Sequence, residues 1–492
     1  MLIRVPLPFI CLLVASATIS SCKHPVDDFT PVPSGTYPAE IGNIMVNRCA
    51  TSGCHNILSY QNAGGLLLDA WSHLFDGGNN GSVIVPFSSA NSPLLYFINT
   101  HEELGPVAVP TMPLNAPPLT QEEYLLIKNW VDKGAPDKDG IIPFSSNAAT
   151  RQKIYATMQG CDQIAVIDAE KKVVMRYIPV GATSLTESPH AIRVDENGNY
   201  AYVSFTAGEY IQKIDTKTDT VVASLRVGTG SWNILHVSDD GTKIMLTNFN
   251  AISGQPTLVI IDAINMTIID QLFIPSNEMS NPHGVASLPG FDVFFITRQI
   301  GNIVYKIKLS TGSIKAVSID KNAPSTIPSH DPHEILMTPD YSKYFLTCQG
   351  SDEVRIMDVT ADTLLKVINV GKVPQEIALS KTKPYMFVTC IDDATSVPGA
   401  KGSVYAINYN TYEITRIEGP FYQPHGITVD DQNGAFYVFS RNVATSGPPP
   451  HHSSSCSGRN GFYNAYDLNT FQRLPKRYEV LVDPYSADTR FK

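Results

Sequence analysis

The chain has 492 residues, of which 43% are hydrophobic and 17% charged, and this balance excludes a disordered chain or a coiled coil. The formal net charge of −10 argues against binding to nucleic acid, which needs a basic surface. Glycine and proline number 33 and 35, and tyrosine and phenylalanine 22 and 20. This mixture of turn formers and aromatic residues favours β structure.

The N-terminus has the pattern of an export signal. Arg4 precedes the apolar residues 5–17, which are too few to cross a membrane, so residues 1–21 are interpreted as a signal peptide. The small residues before Cys22 resemble the lipobox of bacterial lipoproteins, whose cysteine is lipidated and becomes the new N-terminus. An ordinary signal peptide with an incidental Cys22 is the alternative. Residues 22–36 lack periodicity and are expected to form a tether.

A haem-attachment pattern follows a segment with helical spacing that starts at Tyr37. Cys49 and Cys54 are followed directly by His55, with four residues between the cysteines where two are usual. Each thiol can add to a haem vinyl group while the adjacent histidine binds iron, and Gly53 lets the extra residues loop out. A disulfide would not need the histidine, and a zinc site would need a second ligand pair that the nearby sequence lacks.

The sixth iron ligand is expected downstream of this motif. Met112 lies in a proline-fixed loop suited to presenting a thioether, while His101 and, more weakly, His73 compete with it. A capping-box sequence at 120–123 then starts an amphipathic helix, and Gly134 suits its C-terminal cap.

This order of elements over residues 37–140 resembles bacterial c-type cytochrome domains. The resemblance implies haem c attached through Cys49 and Cys54, with His55 as the proximal and Met112 as the distal iron ligand. The wider cysteine spacing departs from the usual pattern.

The rest of the chain is repetitive. Short apolar runs that end in a polar residue recur at intervals of about 47 residues. The seven runs end at Asp168, Asp215, Asp262, Lys308, Asp358, Asn408 and Asp467. A second series lies between them, at Pro189-His190, Trp232-Asn233, Pro282-His283, Pro332-His333, Pro374-Gln375 and Pro424-His425. Each repeat therefore contains four short strands, which predicts a β-propeller blade.

Seven copies predict a seven-bladed propeller over residues 151–492, after a linker at 141–150. The repeats resemble the YVTN-type propeller family. Similar geometry occurs in nitrous-oxide reductase and in dihaem nitrite reductases, which also join a cytochrome c domain to a propeller but have eight blades. The seventh innermost strand is expected from 141–145 or from the segment after Val482. The predicted fold is multidomain, with a small all-α cytochrome c domain followed by an all-β seven-bladed propeller.

Four histidines share one repeat position. Because the innermost strand of a blade lines the central channel, they are expected to surround one mouth of the channel. The four are His190, His283, His333 and His425, with Asn233 and Gln375 at the same position in two other blades. His330 in a neighbouring loop is added to this candidate metal site, and so are His451 and His452 of the insertion 446–457, which is expected to cover the mouth or lie disordered.

Histidine is the commonest ligand for copper and zinc. Copper or zinc is therefore expected at this mouth. In nitrous-oxide reductase a ring of more histidines at the propeller axis holds a copper cluster, and four histidines are too few for a full cluster of that kind. The alternative is that each histidine caps its strand through hydrogen bonds. Cys161, Cys348 and Cys390 are predicted to be small buried residues.

The sequence predicts a haem c-containing electron-transfer protein whose propeller is a docking or binding scaffold for a redox partner protein. The alternative is a periplasmic or surface oxidoreductase whose propeller histidines bind a metal or substrate served by the haem, so enzymatic activity is left open. A binding lipoprotein with a vestigial haem site is a third hypothesis. In all three, the protein is expected to be exported and anchored through Cys22 to the outer or cytoplasmic membrane, facing the periplasm or the cell surface.

Overall fold

The computed structural model describes residues 36–452 and 454–491, so the predicted signal peptide, Cys22 and nearly all of the predicted tether lie outside the described residues. The described chain is mostly β, and its strands form seven four-stranded antiparallel sheets. The innermost strands of successive sheets are neighbours around a closed ring, which defines a seven-bladed β-propeller. Among the described residues, no helix combines the length and the apolar character needed to cross a membrane.

The strands are short and follow one another with tight turns. Those of the first half are β1 (Lys153–Met158), β2 (Gln163–Asp168), β3 (Val173–Pro179), β4 (Pro189–Val194), β5 (Tyr200–Phe205), β6 (Tyr210–Asp215), β7 (Thr220–Arg226), β8 (Trp232–Val237), β9 (Lys243–Asn248), β10 (Leu258–Asp262), β11 (Thr267–Leu272), β12 (Pro282–Ser287), β13 (Val293–Arg298), β14 (Ile303–Lys308) and β15 (Ser313–Ser318). Those of the second half are β16 (Pro332–Met337), β17 (Lys343–Cys348), β18 (Glu353–Asp358), β19 (Leu364–Asn369), β20 (Pro374–Leu379), β21 (Tyr385–Cys390), β22 (Ser403–Asn408), β23 (Ile414–Ile417), β24 (Pro424–Asp430), β25 (Ala435–Ser440), β26 (Asn460–Asp467), β27 (Tyr478–Val482) and β28 (Pro484–Thr489). The predicted seven-bladed propeller is confirmed.

One blade is built from both ends of the propeller segment. Its strand order is β28-β1-β2-β3, with Ala487 of the last strand opposite Ala156 of the first. Of the two expected sources of the seventh innermost strand, the segment after Val482 is therefore correct, and residues 141–145 form no strand.

Residues 141–150 pack against this closing blade. The Arg490 guanidinium donates hydrogen bonds to the carbonyl oxygens of Ala148 and Ala149, at 2.8 and 3.0 Å. Phe144 packs against the apolar clusters of both the propeller and the preceding segment. The expected linker is thus part of the seam where the propeller closes.

Short helices precede the propeller. They are α1 (Ala39–Ile44), which continues into a π-helical turn (Met45–Cys49), α2 (Trp71–Leu74), α3 (Pro93–Ile98) and α4 (Gln121–Asp132). Single 3₁₀ turns lie among them at Tyr60–Asn62, Ser89–Asn91 and Glu102–Leu104, and another, Leu309–Thr311, lies between β14 and β15 of the propeller. The capping box at the start of α4 is present. The Thr120 hydroxyl accepts from the Glu123 N–H at 3.2 Å, and the Glu123 carboxylate accepts from the Thr120 N–H at 2.8 Å.

The helical segment is not a distinct all-α domain, which corrects the expectation from the sequence. Only α4 has more than two turns, and much of the segment has no regular structure. Its Val85 belongs to an apolar cluster of the propeller, and Ser82 donates a 2.9 Å hydrogen bond to the carbonyl oxygen of Val174 in β3. The segment keeps a cluster of its own around Ile41, Leu68 and Ile127, so its core is partly its own and partly shared.

Candidate functional site

The two cysteines of the haem-attachment pattern are free thiols on one loop. Cys49 ends the π-helical turn and is buried, whereas Cys54 is half-buried. The intervening residues loop out around Gly53, whose φ of 82° suits glycine. The chain then returns, so that the His55 N–H donates to the Cys49 carbonyl oxygen at 3.1 Å. The two extra residues therefore leave the histidine next to the first cysteine.

The imidazole of His55 is held in one orientation. Its Nδ1 lies 3.1 Å from the carbonyl oxygen of Leu66. Burial lowers the pKa of His55, so the ring is neutral near pH 7. When Nδ1–H donates to a carbonyl, Nε2 carries the lone pair that a metal needs. This arrangement matches the requirement for a proximal iron ligand.

The three candidates for the distal iron ligand differ in the contacts that they make within the protein. Met112 is half-buried against the cluster that contains Cys49, and its N–H donates to the Phe97 carbonyl oxygen at 2.6 Å. His101 has a buried Nε2 with no hydrogen-bond partner among the described residues. His73 Nδ1 lies 2.7 Å from the Asp69 carboxylate, which makes it the most engaged of the three side chains.

These donors fit haem c in their chemistry. Two unbridged thiols, one neutral imidazole with a fixed tautomer, and either a thioether or an unpartnered imidazole are the groups that covalent attachment and six-coordinate iron require. Burial raises the pKa of the Cys49 thiol to about 12, so this thiol is neutral in the folded protein.

The insertion 446–457 does not carry its histidines to the propeller axis. The ring of His451 lies 5.3 Å from that of Phe97, and the ring of His452 lies 5.6 Å from that of Tyr96. Both histidines therefore contact α3 in the helical segment. The loop lies between β25 and β26 and joins the propeller to the segment that carries the haem motif.

A disulfide fixes this insertion. Cys456 of the insertion is bonded to Cys161, which follows β1 in the closing blade. The prediction that Cys161 is a small buried residue is wrong, because it is half-buried and bonded to a cysteine 295 residues away in sequence. Cys348 and Cys390 are fully buried at the ends of β17 and β21, as expected.

The four histidines of the repeat position lie together at the propeller axis. The ring centroids of His283 and His333 are 4.0 Å apart, and those of His333 and His425 are 5.9 Å apart. His190 lies 6.3 Å from His283, and Tyr485 of β28 stacks between His190 and His425. All four histidines are buried.

A β-bulge in each innermost strand presents these side chains. In β12 the ladder to β13 pairs Pro282 and then resumes at Val285, so His283 and Gly284 are outside the regular pairing. The Gly284 N–H donates to the Thr297 hydroxyl at 2.8 Å, and this hydroxyl donates to the His333 carbonyl oxygen of the next blade at 2.8 Å. The threonine thus fixes the position of the next histidine in the ring.

Three of the channel histidines keep a buried ring nitrogen without a hydrogen-bond partner among the described residues. These atoms are Nε2 of His190, Nδ1 of His333 and Nε2 of His425. The other nitrogen of His425 lies 2.9 Å from the Tyr485 carbonyl oxygen. Burial lowers the pKa of all three rings, and neighbouring basic side chains lower it further, so they are neutral near pH 7.

Buried carboxylates lie below the histidines, and the sequence prediction missed them. Glu334 and Glu376 directly follow the ring positions of β16 and β20 and are buried. Burial and, to a smaller extent, the neighbouring Glu334 carboxylate raise the pKa of Glu376 to about 8, while Arg193 opposes this shift. The sequence contained a signal for them, because glutamate follows the ring position in two successive repeats, after His333 and after Gln375.

A cavity of about 690 Å³ opens from the opposite mouth of the channel. Arg193, Glu334, Glu376 and Asp488 line it, together with the turns that follow the innermost strands. The two carboxylates are therefore reached from solvent on the side away from the histidines.

His330 is separate from the histidine ring, which corrects its place in the candidate metal site. Its Nε2 lies 3.1 Å from the Asp320 carboxylate, and its Nδ1 lies 4.0 Å from that of Glu353. Asp320 follows β15 of the preceding blade and Glu353 begins β18 of the next, so this imidazole lies between two blades and apart from the other histidines.

Comparisons with known proteins give structural neighbours only. No protein-family profile matches the chain, and no curated protein matches it. A hydrazine synthase structure from Kuenenia stuttgartiensis is 14% identical, over 62% of this chain and 90% of that one, with a TM-score of 0.48. A functionally unknown protein from Desulfotomaculum acetoxidans is 12% identical over 67% and 99% of the two chains, with a TM-score of 0.48. The dihydro-haem d1 dehydrogenase NirN in complex with DHE is 12% identical over 84% and 94%, with a TM-score of 0.47.

Proposed function

We propose that this chain is a haem c-containing electron-transfer protein. Cys49 and Cys54 would attach the haem through thioethers, and His55 would bind the iron on the proximal side. The observation that carries the proposal is the pair of unbridged thiols beside an imidazole whose Nδ1 is held by Leu66. Haem c supplies one-electron exchange without a bound substrate. Met112 is the proposed distal ligand.

The propeller would act as a scaffold on which a redox partner protein docks. Three contacts support a fixed position of the haem segment on this scaffold: the apolar packing of Val85, the hydrogen bond from Ser82 to Val174, and the rings of the insertion on α3. The net charge of −10 makes a protein partner more suitable than nucleic acid.

We also propose that the protein is exported and held at the outer or cytoplasmic membrane through a lipid on Cys22, facing the periplasm or the cell surface. The Cys161–Cys456 disulfide supports an oxidising compartment, because disulfides are rare where glutathione keeps thiols reduced.

Covalent haem retention tests the proposed function. The full-length chain is expressed with a haem-attachment system, and the haem that remains after acid–acetone extraction is measured. We expect the wild type to retain its haem and the double variant Cys49→Ala with Cys54→Ala to lose it, because thioethers survive the extraction. Cys348→Ala is the matched control, since this free cysteine lies in the propeller and should have no effect. Complete extraction of haem from the wild type would overturn the proposal.

A further inference from the structure

We propose that His283, His333 and Glu334 form a binding site for one divalent transition-metal ion at the propeller axis. This site is independent of the haem proposal, because none of its residues belongs to the helical segment. It is also narrower than a ring of four histidines, since it uses two of them and adds a carboxylate.

The three side chains converge within the range of one ion. One ligand atom from each lies within 4.8 Å of the others, and among the described residues no other group of histidine, cysteine and acidic side chains does so. His283 Nδ1 lies 3.3 Å from Glu334 Oε1. In zinc sites the ligand nitrogen and oxygen atoms lie about 2.0–2.2 Å from the ion. A small shift of these three side chains would place one atom of each at that distance from a shared ion.

Two buried polar atoms on the proposed ligand residues have no hydrogen-bond partner among the described residues. They are Nδ1 of His333 and Oε1 of Glu334, on residues that are 1% and 4% exposed. A buried polar atom without a partner costs about 1–3 kcal/mol, so such atoms are rare in folded proteins. A bound cation would satisfy both of them at once.

The backbone of β12 is shaped to let the two blades meet here. A Cβ on Gly284 would lie 2.8 Å from the His333 carbonyl oxygen and 3.0 Å from Glu334 Oε2. Only glycine permits this approach. Gly284 directly follows His283, and its lack of a side chain lets the backbone of β12 approach β16. This approach places His283 close to His333 and Glu334.

Glu376 is the equivalent carboxylate in the next blade, and its surroundings show why the proposed site forms at Glu334 and not there. Glu376 follows Gln375, and its nearest ring histidine is His425, whose Nδ1 lies 4.0 Å away. That nitrogen is already 2.9 Å from the Tyr485 carbonyl oxygen. Glu376 therefore has a histidine within reach but no second imidazole, and it serves as an internal comparison.

The chemistry of the ligands selects the class of ion. Two imidazoles and one carboxylate suit zinc, copper and iron, whereas calcium and magnesium prefer oxygen ligands alone. Three protein ligands leave at least one coordination position for water or another ligand. Glu334 lines the 690 Å³ cavity, so an ion and its exchangeable ligand would be reached from that mouth.

Zinc binding tests the proposal, with zinc as the probe because it does not change oxidation state. The haem-loaded protein is stripped with a chelator, loaded with zinc, passed through a desalting column and assayed for metal. The same assay on the variant Cys49→Ala with Cys54→Ala removes the thiol pair as a competing zinc site. We expect about one zinc per chain in both proteins.

The ligand variants are His283→Asn, His333→Gln and Glu334→Gln. Asparagine and glutamine occupy the same ring position at Asn233 and Gln375, so the fold already accommodates these amides. Each variant should weaken zinc binding by more than about tenfold. Glu376→Gln is the matched control and should keep the zinc.

The competing account is that Nδ1–H of His283 only donates a hydrogen bond to the His333 carbonyl oxygen, which lies 3.2 Å away, and that no ion binds beside Glu334. The proposal is overturned if the wild type retains no zinc, or if the three ligand variants bind it as tightly as the wild type does. Circular dichroism and thermal unfolding of each variant separate the loss of a ligand from the loss of the fold.

Discussion

A single residue position decides what faces the propeller axis. The second residue of each innermost strand lies in a bulge, and its side chain is buried among its counterparts from the other blades. Where it is histidine, burial keeps the ring neutral, and three of the four rings retain an unpartnered nitrogen. Neutral imidazole is the form that binds a metal.

At the same scale, the distal haem ligand can be assigned by substitution. Met112→Ala should remove the long-wavelength charge-transfer band typical of methionine-ligated ferric haem, and it should lower the reduction potential, because a thioether favours reduced iron. The measurement is the absorption spectrum of the oxidised, haem-loaded protein, followed by a redox titration.

His101→Ala is the matched control for this assignment. Its unpartnered Nε2 makes it the competing ligand, so its substitution should leave the band unchanged if methionine binds iron. A band that survives in Met112→Ala but disappears in His101→Ala would reverse the assignment.

The sequence predicted some residues of these sites and missed others for a physical reason. Adjacency alone points to Cys49, Cys54 and His55, because the chemistry of attachment requires neighbours in the chain, and their role as haem ligands stays a prediction. Glu334 was missed because successive strand residues normally point to opposite faces. The bulge between Pro332 and Ile335 removes that alternation and brings the carboxylate to the histidines.

At the scale of the elements, hydroxyls link neighbouring blades. A serine or threonine of a second strand donates to the carbonyl oxygen of the ring residue in the next blade. The pairs are Thr157 with His190, Ser204 with Asn233, Thr297 with His333, Thr347 with Gln375, and Thr389 with His425. These bonds run from blade to blade around the channel and hold the ring residues in register.

Removing one of these hydroxyls should destabilise the propeller. Thr297→Val keeps the shape of the side chain but leaves the Gly284 N–H without its acceptor and the His333 carbonyl oxygen without one of its donors. We expect the free energy of unfolding to fall by about 1–3 kcal/mol in urea denaturation. Thr311→Val, at an exposed position, should change it little. An equal effect of both substitutions would show that the link between blades contributes nothing.

The repeat pattern predicted the blades well because each one carries the same apolar runs. It left two sources open for the seventh innermost strand, because Tyr485 replaces the histidine or amide of the other blades there. Pro484 in the first position was the remaining signal. The helical segment was harder to predict, because its packing is partly shared with the propeller, where Val85 belongs to a propeller cluster and Phe144 contacts the clusters of both parts.

At the scale of the whole molecule, two devices close the ring across the same seam. β28 pairs with β1, and the Cys161–Cys456 disulfide joins the turn after β1 to the insertion of the preceding blade. Because that insertion also contacts α3, the disulfide stabilises both the closure of the ring and the contact between the propeller and the helical segment.

Opening the disulfide should lower the stability of the protein. Cys161→Ser should reduce the free energy of unfolding by about 2–4 kcal/mol, because the cross-link closes a long loop in the unfolded chain. Urea denaturation without reductant measures the effect. Reductant should bring the wild type to the value of the variant and leave the variant unchanged. If reductant has no effect on the wild type, the cross-link is absent or does not contribute.

Because β28 pairs with β1, the propeller cannot close until the end of the chain has been synthesised. The first strand of the propeller emerges about 330 residues before its partner, a delay of roughly 20–60 seconds at ordinary rates of synthesis. Throughout that time the nascent chain has an open ring, with the edge of β1 exposed. The segment that carries Cys49 and Cys54 is synthesised before this interval begins, so the proposed haem attachment does not depend on a closed propeller.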